Sequence, residues 1–259
     1  MQTFASLSRS LLLLLKSRLC PHHKFRMLFL PPCVDCHVHF REPGVEHKGN
    51  MKSESLAARA GGVSVVCEMP NTNPPTNTIA ALQDKISRSK HATCDIRFFF
   101  GITAHEHIEQ LTLLFTDPSF AEARARCCGL KLYLDHSTGN MKVDDDLLEE
   151  VFAVCARLKV VIVAHCEHAK VNHDGAEKTP YGEHATHSVR RPPLSEATSI
   201  AEAIALAEKY GTRLHIAHLS TVEGLRLVRA ARLRGVAVTT EVTIHHRLFT
   251  STLLCALKN

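Results

Sequence analysis

Residues 35 to 44 read Asp-Cys-His-Val-His-Phe-Arg-Glu-Pro-Gly and follow an apolar run. Side chains at alternate positions of a β-strand point to the same face, so His37 and His39 are directed the same way. Arg41 continues on that face and offers a planar guanidinium that suits a carboxylate. Two imidazoles at one strand end are a natural start for a metal site. The stretch therefore predicts a metal centre beside an arginine that binds an anion.

His-x-His is weak evidence by itself, because 18 His in 259 residues would give about one such pair by chance. A second pair, His105 and His107, follows a strand-like segment and is expected to open a helix, with Glu106 in its first turn. We interpret that second pair as surface. The pair at His37 and His39 differs, because Pro and Gly follow it closely and because polar residues recur after later strands.

Strand-like and helix-like segments alternate along the chain from residue 28 onwards. Predicted strands cover residues 28–36, 63–69, 96–103, 129–134, 160–166, 213–219 and 237–242. Predicted helices include residues 78–90, 144–158, 196–210 and 221–234. Ser220 with Glu223 forms a capping-box pattern, and Gly211 and Gly235 stand where helices are expected to end. The alternation predicts a parallel sheet covered by helices, either an open doubly wound sheet or a closed barrel.

Polar residues decide between these two kinds of sheet. They fall at or just past the C-terminal ends of different strands: His37, His39, Asn71, Lys131, His165 and His218. In a barrel those ends converge on one mouth, whereas an open sheet would spread them along a line. We therefore predict an α/β fold of the TIM-like (β/α) barrel type, in which these side chains meet.

Some of these positions also have structural interpretations. His165 and His218 could be histidines satisfied at strand ends, with His215 as a more structural neighbour. Lys131 is the sharpest case, because an ammonium inside a strand loses its hydration at a large cost. Either its stem reaches solvent at an edge or mouth, or the amine is carbamylated and its anionic carboxylate bridges two cations. Asp135 is a further candidate neighbour of a metal.

Composition bounds the class of protein. With 45% hydrophobic residues in a chain of 259, one substantial core can be buried. The net charge of +5 is spread out, without a basic tract or aromatic platform, which argues against nucleic-acid binding. The 10 cysteines have scattered spacings, which favours reduced thiols in an intracellular protein. No segment approaches the length that spans a bilayer, so no membrane partner is expected.

Residues 1–27 are predicted to be an atypical N-terminal segment, and residues 28–259 the barrel domain. The segment up to residue 34 has no acidic residue but carries Lys and Arg among Ser and Leu. That is the composition of a transit peptide, and the alternative is a non-native start of the sequence. The expected location is therefore cytoplasmic, or mitochondrial if the segment is a transit peptide.

A long loop is expected between the fifth and sixth strands. Its histidines are interpreted as part of a surface or lid, and they are His168, His173, His184 and His187. Beyond this loop, Ser195 is predicted to cap a helix that has Glu196 in its first turn.

Several runs, in this order, resemble dihydroorotases of the cyclic amidohydrolase group in the amidohydrolase superfamily. They are the decapeptide at 35–44, Glu-Met-Pro-Asn-Thr-Asn-Pro at 68–74, Gly-Leu-Lys-Leu-Tyr at 129–133, Ala-His-Cys-Glu at 164–167, His-Ile-Ala-His at 215–218 and Glu-Val-Thr-Ile-His-His at 241–246. The likeness covers about residues 28–257. Allantoinases typically read Met-Pro-Leu at the second run and dihydropyrimidinases His-Thr-His at the first. Asn71 in the second run and Val38 in the first therefore point to dihydroorotase.

The resemblance implies a zinc-dependent hydrolase that reversibly cyclises N-carbamoyl-L-aspartate to dihydroorotate in de novo pyrimidine biosynthesis. It implies two zinc ions bridged by a carbamylated lysine. The metal ligands that it implies are His37, His39, Lys131, His165 and His218. Arg41 and Asn71 would bind the substrate carboxylate. The partners expected besides this small-molecule substrate are a second copy of the chain or aspartate transcarbamoylase.

The chain departs from the family near its C-terminal end. Dihydroorotases carry an Asp after the eighth strand that binds a metal and transfers a proton. Residues 1–259 stop before that strand, so we expect seven of the eight strands and no general acid–base Asp. Lesser departures are Ile244, where the family usually has Pro, and Arg247 after the His pair.

Two alternatives to an active dihydroorotase follow from these departures. One is a catalytically impaired relative that acts as a partner of another pyrimidine-pathway enzyme. The other is an amidohydrolase for a different ring, such as allantoin, hydantoin or a dihydropyrimidine.

Overall fold

The computed structural model describes residues 30–137, 140–179 and 186–249. Contacts within the chain divide it into two units, Met1–Cys33 and Val34–Asn259. Residues 30–33 are the described part of the first unit, and the remaining described residues belong to the second. The predicted domain boundary after residue 27 lies outside the described residues.

Seven strands form one sheet and follow one another in chain order. They are β1 Cys33–Val38, β2 Val63–Glu68, β3 Asp95–Gly101, β4 Cys127–Tyr133, β5 Ile162–His165, β6 Leu214–Ile216 and β7 Val238–Thr240. Each neighbouring pair from β2 to β7 is parallel. A doubly wound sheet would begin near its middle and reverse direction. The sequential order therefore confirms the predicted α/β barrel architecture with seven strands.

Helices follow most of the strands. In the described ranges they are α1 Met51–Ala60, α2 Ile79–Arg88, α3 His105–Thr116, α4 Ala121–Arg126, α5 Leu148–Leu158, α6 Ala169–Lys178, α7 His187–Arg190, α8 Pro193–Tyr210, α9 Val222–Leu233 and α10 Ile244–Leu248. Short 3₁₀ turns cover Ser89–His91, Pro118–Phe120 and Asp145–Leu147. None of these helices is long and apolar enough to cross a bilayer.

The first strand begins later than predicted. β1 starts at Cys33, directly after Pro31 and Pro32, because proline has no N–H to donate to a neighbouring strand. It ends at Val38, so His37 lies in the strand and His39 follows it.

Alternate strand residues point to two different layers. The large core packed against the helices includes Phe98, Phe100, Leu130 and Leu132. A small cluster on the opposite face includes Met69, Phe99, Val163 and Ala217. Lys131 stands between two residues of the large core, so its side chain points to the opposite face. There it is in register with Val163 of β5.

The predicted start of α9 is wrong by one residue. Thr221, not Ser220, caps the helix, since its hydroxyl accepts a hydrogen bond from Gly224 N at 3.1 Å. Ser220 N and Oγ instead donate to the Glu196 carboxylate at 2.9 and 3.0 Å. The end of α8 agrees with prediction, because Gly211 adopts the left-handed conformation there, with φ 69°.

The predicted cap of α8 is also wrong. The helix begins at Pro193, two residues before Ser195, because the fixed φ of proline suits the first helical position. Ser195 is therefore buried inside the first turn, where its hydroxyl accepts a hydrogen bond from His168 N at 2.8 Å.

The segment predicted as a loop between β5 and β6 contains α6 and α7. Its histidines lie at the N-cap of α6, on α6 and on α7, and they are His168, His173 and His187. His184 lies outside the described residues. Gly175 weakens the helical pattern of α6, yet it is needed there because a Cβ would lie 2.7 Å from Arg190 O of α7.

Candidate metal centre

Four imidazoles from three strand ends meet at one place. The ring centroids of His37 and His39 are 5.3 Å apart, and those of His37 and His218 are 5.5 Å apart. His165, the last residue of β5, lies against His218, with 2.8 Å between Nδ1 of the first and Nε2 of the second. The structure therefore brings together the histidines that the strand-end pattern predicted would meet.

Lys131 extends from β4 on the face that carries these imidazoles. Its side chain is 1% exposed, and Nζ has no hydrogen-bond partner among the described residues. Nζ lies 4.9 Å from the centroid of the Tyr133 ring. Burial lowers the pKa of Lys131 to about 8. Because Nζ does not reach solvent, the interpretation of a lysine that extends from an edge or mouth into water is wrong.

Two of the imidazoles are held neutral. Burial, followed by the nearby charge of Arg41, lowers the pKa of His39 to about 3. Burial, followed by the charge of His165, lowers the pKa of His218 to about 3. A neutral imidazole keeps a lone pair for a metal, whereas a protonated one cannot bind it. The buried amine, which has no hydrogen bond to any described residue, and these imidazoles together suit a metal group.

One ring nitrogen of three of these histidines contacts an oxygen of another side chain. His37 Nδ1 contacts Glu241, and His39 Nδ1 lies 2.8 Å from Asn71 Oδ1. His165 Nε2 lies 3.0 Å from Glu167 Oε2. In metal sites the second ring nitrogen is usually held in this way, which fixes the orientation of the ligand. No role was predicted for Glu167 or Glu241, although both lie within runs that resemble the family.

Glu167 is itself held by Arg191 of the segment between α7 and α8. Burial raises the pKa of Glu167, but hydrogen bonds from His165 and Arg191 outweigh it and lower the value to about 2. We expect Glu167→Gln to weaken metal binding by about 10- to 100-fold, as loss of such supporting groups does. Competition with a chromophoric chelator measures this. Glu177→Gln, which removes an exposed carboxylate paired with His173, is the control; equal affinities of the two variants would contradict the role.

Arg41 and Asn71 lie on two loops that contact each other. Arg41 follows β1 with φ 71°, a conformation that is uncommon for residues other than glycine. Asn73 N donates to Pro43 O at 3.0 Å and so joins the loop of Arg41 to that of Asn71. The bond between Asn71 and His39 links the predicted carboxylate-binding loop to the imidazoles.

Gly44 makes this contact between the loops possible. Its φ is +84°, and a Cβ there would lie 2.0 Å from Asn73 O. We expect Gly44→Ala to lower the free energy of unfolding by more than the roughly 1–3 kcal/mol of the backbone conformation alone. Gly62 has a φ of +81° and nothing within 4 Å of the added Cβ, so Gly62→Ala isolates the conformational part. Urea denaturation of both variants measures the difference, and equal losses would contradict the contact.

A fully buried ion pair supports the same two loops. Glu68 Oε2 accepts a hydrogen bond from Phe40 N at 2.7 Å, between His39 and Arg41 in the chain. Lys85 Nζ lies 3.5 Å from Glu68 Oε1 and donates to Met69 O at 3.0 Å. Both side chains are 1% exposed. Burial raises the pKa of Glu68 and lowers that of Lys85. This ion pair was not predicted. Its trace in the sequence is a carboxylate at the end of an apolar strand and a lysine on the apolar face of α2.

Asp135 stays a predicted neighbour of a metal, and the second His pair was predicted to lie at the surface. Asp135 is buried and accepts hydrogen bonds from Asn172 Nδ2 at 2.6 Å and from His136 N at 2.7 Å. In the second His pair, His105 is exposed as predicted. His107 is buried, contrary to prediction, because its Nδ1 accepts a hydrogen bond from Ala104 N at 3.2 Å at the start of α3.

Comparison with known proteins places the chain in a family. The sequence model of the Dihydro-orotase-like family matches residues 26–224. The chain belongs to this family. It is 33% identical over 221 residues to a dihydroorotase of Carboxydothermus hydrogenoformans, covering 85% of the chain and 49% of that protein. It is 35% identical over 224 residues to a dihydroorotase of Geobacillus kaustophilus, covering 85% and 50%. This member of the family thus spans about half the length of the curated relatives that it matches.

Solved structures show the same fold. An L-hydantoinase (dihydropyrimidinase) from Arthrobacter aurescens is 26% identical and superposes with a TM-score of 0.74, covering 82% of the chain and 47% of the hydantoinase. A dihydropyrimidinase from Brevibacillus agri is 21% identical, with a TM-score of 0.75 over 86% of the chain and 48% of that structure. These likenesses confirm the barrel fold of the dihydro-orotase-like chain.

Proposed function

We propose that this chain carries the metal centre of a zinc-dependent dihydroorotase, which interconverts N-carbamoyl-L-aspartate and dihydroorotate in pyrimidine biosynthesis. The observation that carries the proposal is Lys131, whose buried amine has no hydrogen-bond partner in the described chain and lies among neutral imidazoles. Family membership and the dihydroorotase relatives support the same reaction.

Two zinc ions would be held by residues from four strand ends. The proposed ligands are His37, His39, Lys131, His165 and His218. The neutral amine of Lys131 adds carbon dioxide and releases a proton, and the resulting anionic carboxylate can bridge two cations. Its formation would also replace a buried amine, which has no hydrogen-bond partner among the described residues, with a carboxylate that binds metal. The zinc ions would polarise the ring carbonyl and activate water when bound.

Arg41 and Asn71 are proposed to bind the carboxylate that distinguishes dihydroorotate from dihydrouracil. A guanidinium matches a carboxylate through two parallel hydrogen bonds, and the contact of Asn71 Oδ1 with His39 Nδ1 places Asn71 beside the proposed metal ligands. Binding at the carboxylate would orient the ring so that its amide faces the centre. Proton transfer needs a further group, which the family resemblance assigns to an Asp after the eighth strand.

The proposal is tested with the zinc-loaded chain and matched rings. Zinc is measured by elemental analysis, and opening of dihydroorotate and dihydrouracil is followed by absorbance. Binding of N-carbamoyl-L-aspartate is measured by calorimetry for the unaltered chain, Arg41→Met and the control Arg59→Met. We expect the unaltered chain and Arg59→Met to bind N-carbamoyl-L-aspartate equally, and Arg41→Met to bind it more weakly. A protein that binds no zinc and neither binds nor turns over these compounds would overturn the proposal.

A cyclic amidohydrolase for another ring is the second candidate, and the fold shared with the Arthrobacter aurescens L-hydantoinase at 26% identity favours it. Hydantoin and allantoin in the same assay decide between the two. Preference for hydantoin or dihydrouracil over dihydroorotate would show that Arg41 does not select a carboxylate.

A further inference from the structure

Three side chains with metal-binding atoms meet beside the imidazole cluster. Cys36 belongs to β1, His215 to β6, and Glu241 directly follows β7. Cys36 Sγ lies 3.3 Å from Glu241 Oε2, and His215 Nε2 lies 3.3 Å from the same oxygen. The three donor atoms are all within 4.8 Å of one another. Ligands at zinc bond lengths in a tetrahedral site are separated by roughly 3.3–3.8 Å, so small movements would close this group around one ion.

His215 is presented as a metal ligand would be. Its Nδ1 lies 2.8 Å from Thr239 Oγ1, which fixes the ring. Its Nε2 is buried and pairs with Glu241 Oε2 at 3.3 Å, without the geometry of a hydrogen bond to any described residue. Metal-binding histidines commonly use one nitrogen for the ion and the other for a supporting hydrogen bond. The buried Nε2 therefore faces the same carboxylate oxygen as the Cys36 thiol, as two ligands of one ion beside a third would.

We propose that Cys36, His215 and Glu241 bind a zinc ion of their own, in addition to the pair proposed around Lys131. A thiolate, an imidazole and a carboxylate together are a ligand set that zinc accepts. Cys36 is exposed, so water can reach the site and provide a fourth ligand. Binding releases the thiol proton to solvent, because the thiolate is the ligand. Glu241 also contacts His37, so it would connect this ion to the main centre.

Cobalt tests the site, because a cobalt–thiolate bond gives a near-ultraviolet charge-transfer band. The whole chain is freed of metal and titrated with Co²⁺ alone, and so are Cys36→Ser and the control Cys33→Ser, which removes another exposed thiol of β1. We expect the band in the unaltered chain and in Cys33→Ser. Cys36→Ser is expected to lose the band and one equivalent of cobalt, and His215→Asn also to bind one equivalent fewer.

A band retained in Cys36→Ser, or an unchanged cobalt content in both site variants, would overturn the inference. Circular dichroism of each variant verifies folding, and the exposed Cys36 makes a serine there easy to accommodate. The ligands proposed around Lys131 include no thiolate, so the two proposals fail separately. A band with one bound equivalent of cobalt would support the Cys36 site and contradict the metal pair around Lys131. Two equivalents without a band would support the metal pair and contradict the Cys36 site.

Discussion

Lys131→Met is expected to weaken zinc binding by more than about 100-fold, since loss of a supporting residue alone costs about 10- to 100-fold. Methionine fills a similar volume but cannot form a carbamate. The same change should leave the metal-free protein as stable as before or stabilise it by about 1–3 kcal/mol. The reason is that it removes a buried amine without a partner in the described chain. Chelator competition measures the affinity, and urea denaturation of the metal-free protein measures the stability.

Lys90→Met is the matched control for this prediction, because Lys90 is exposed in the 3₁₀ turn Ser89–His91 that follows α2. Its zinc affinity should equal that of the unaltered chain. A folded Lys131→Met protein with undiminished zinc affinity would show that Lys131 is not a ligand. A large loss of stability without metal would show that its amine has a structural partner.

Lys85→Met is expected to lower the free energy of unfolding by about 3–5 kcal/mol, because it leaves the Glu68 charge buried without its partner. Glu68 and Lys85 are each 1% exposed, so water cannot replace the lost ammonium. The hydrogen bond to Met69 O disappears as well. Urea denaturation of the metal-free protein measures the loss.

The double variant Glu68→Gln with Lys85→Met separates the charge from the packing. Gln still offers an oxygen to Phe40 N but carries no charge, so the double variant should be more stable than Lys85→Met alone. If the two changes acted independently, their losses of stability would add, and the double variant would be less stable than Lys85→Met. A Lys85→Met protein with unchanged stability, or a double variant that is the least stable of all, would contradict a buried ion pair.

Much of the fold follows from local patterns. Apolar runs that alternate with amphipathic segments predict a parallel sheet, and the seven strands are all present. The C-terminal ends of parallel strands in a barrel converge, so His37, His165 and His218 can be grouped from the sequence alone. The start of β1 was misplaced because the apolar pattern continues through Pro31 and Pro32, whose missing N–H groups end the pairing.

The supporting groups of the site could not be predicted in the same way. Glu241 contacts His37 across 204 residues of sequence, and no local period encodes which carboxylate will reach which ring. The partnership of Glu68 with Lys85 depends on how α2 packs against the end of β2, which is a tertiary property. The wrong cap at Ser220 has the same origin, because Glu196 of a distant helix takes its hydrogen bonds.

Native mass spectrometry of the zinc-loaded chain in bicarbonate tests the central claim most directly. We predict one carbon dioxide adduct together with at least two zinc ions, and loss of the adduct and of two zinc ions in Lys131→Met. Zinc bound without an adduct, or an equal zinc count in the two proteins, would contradict a centre bridged by carbamylated Lys131.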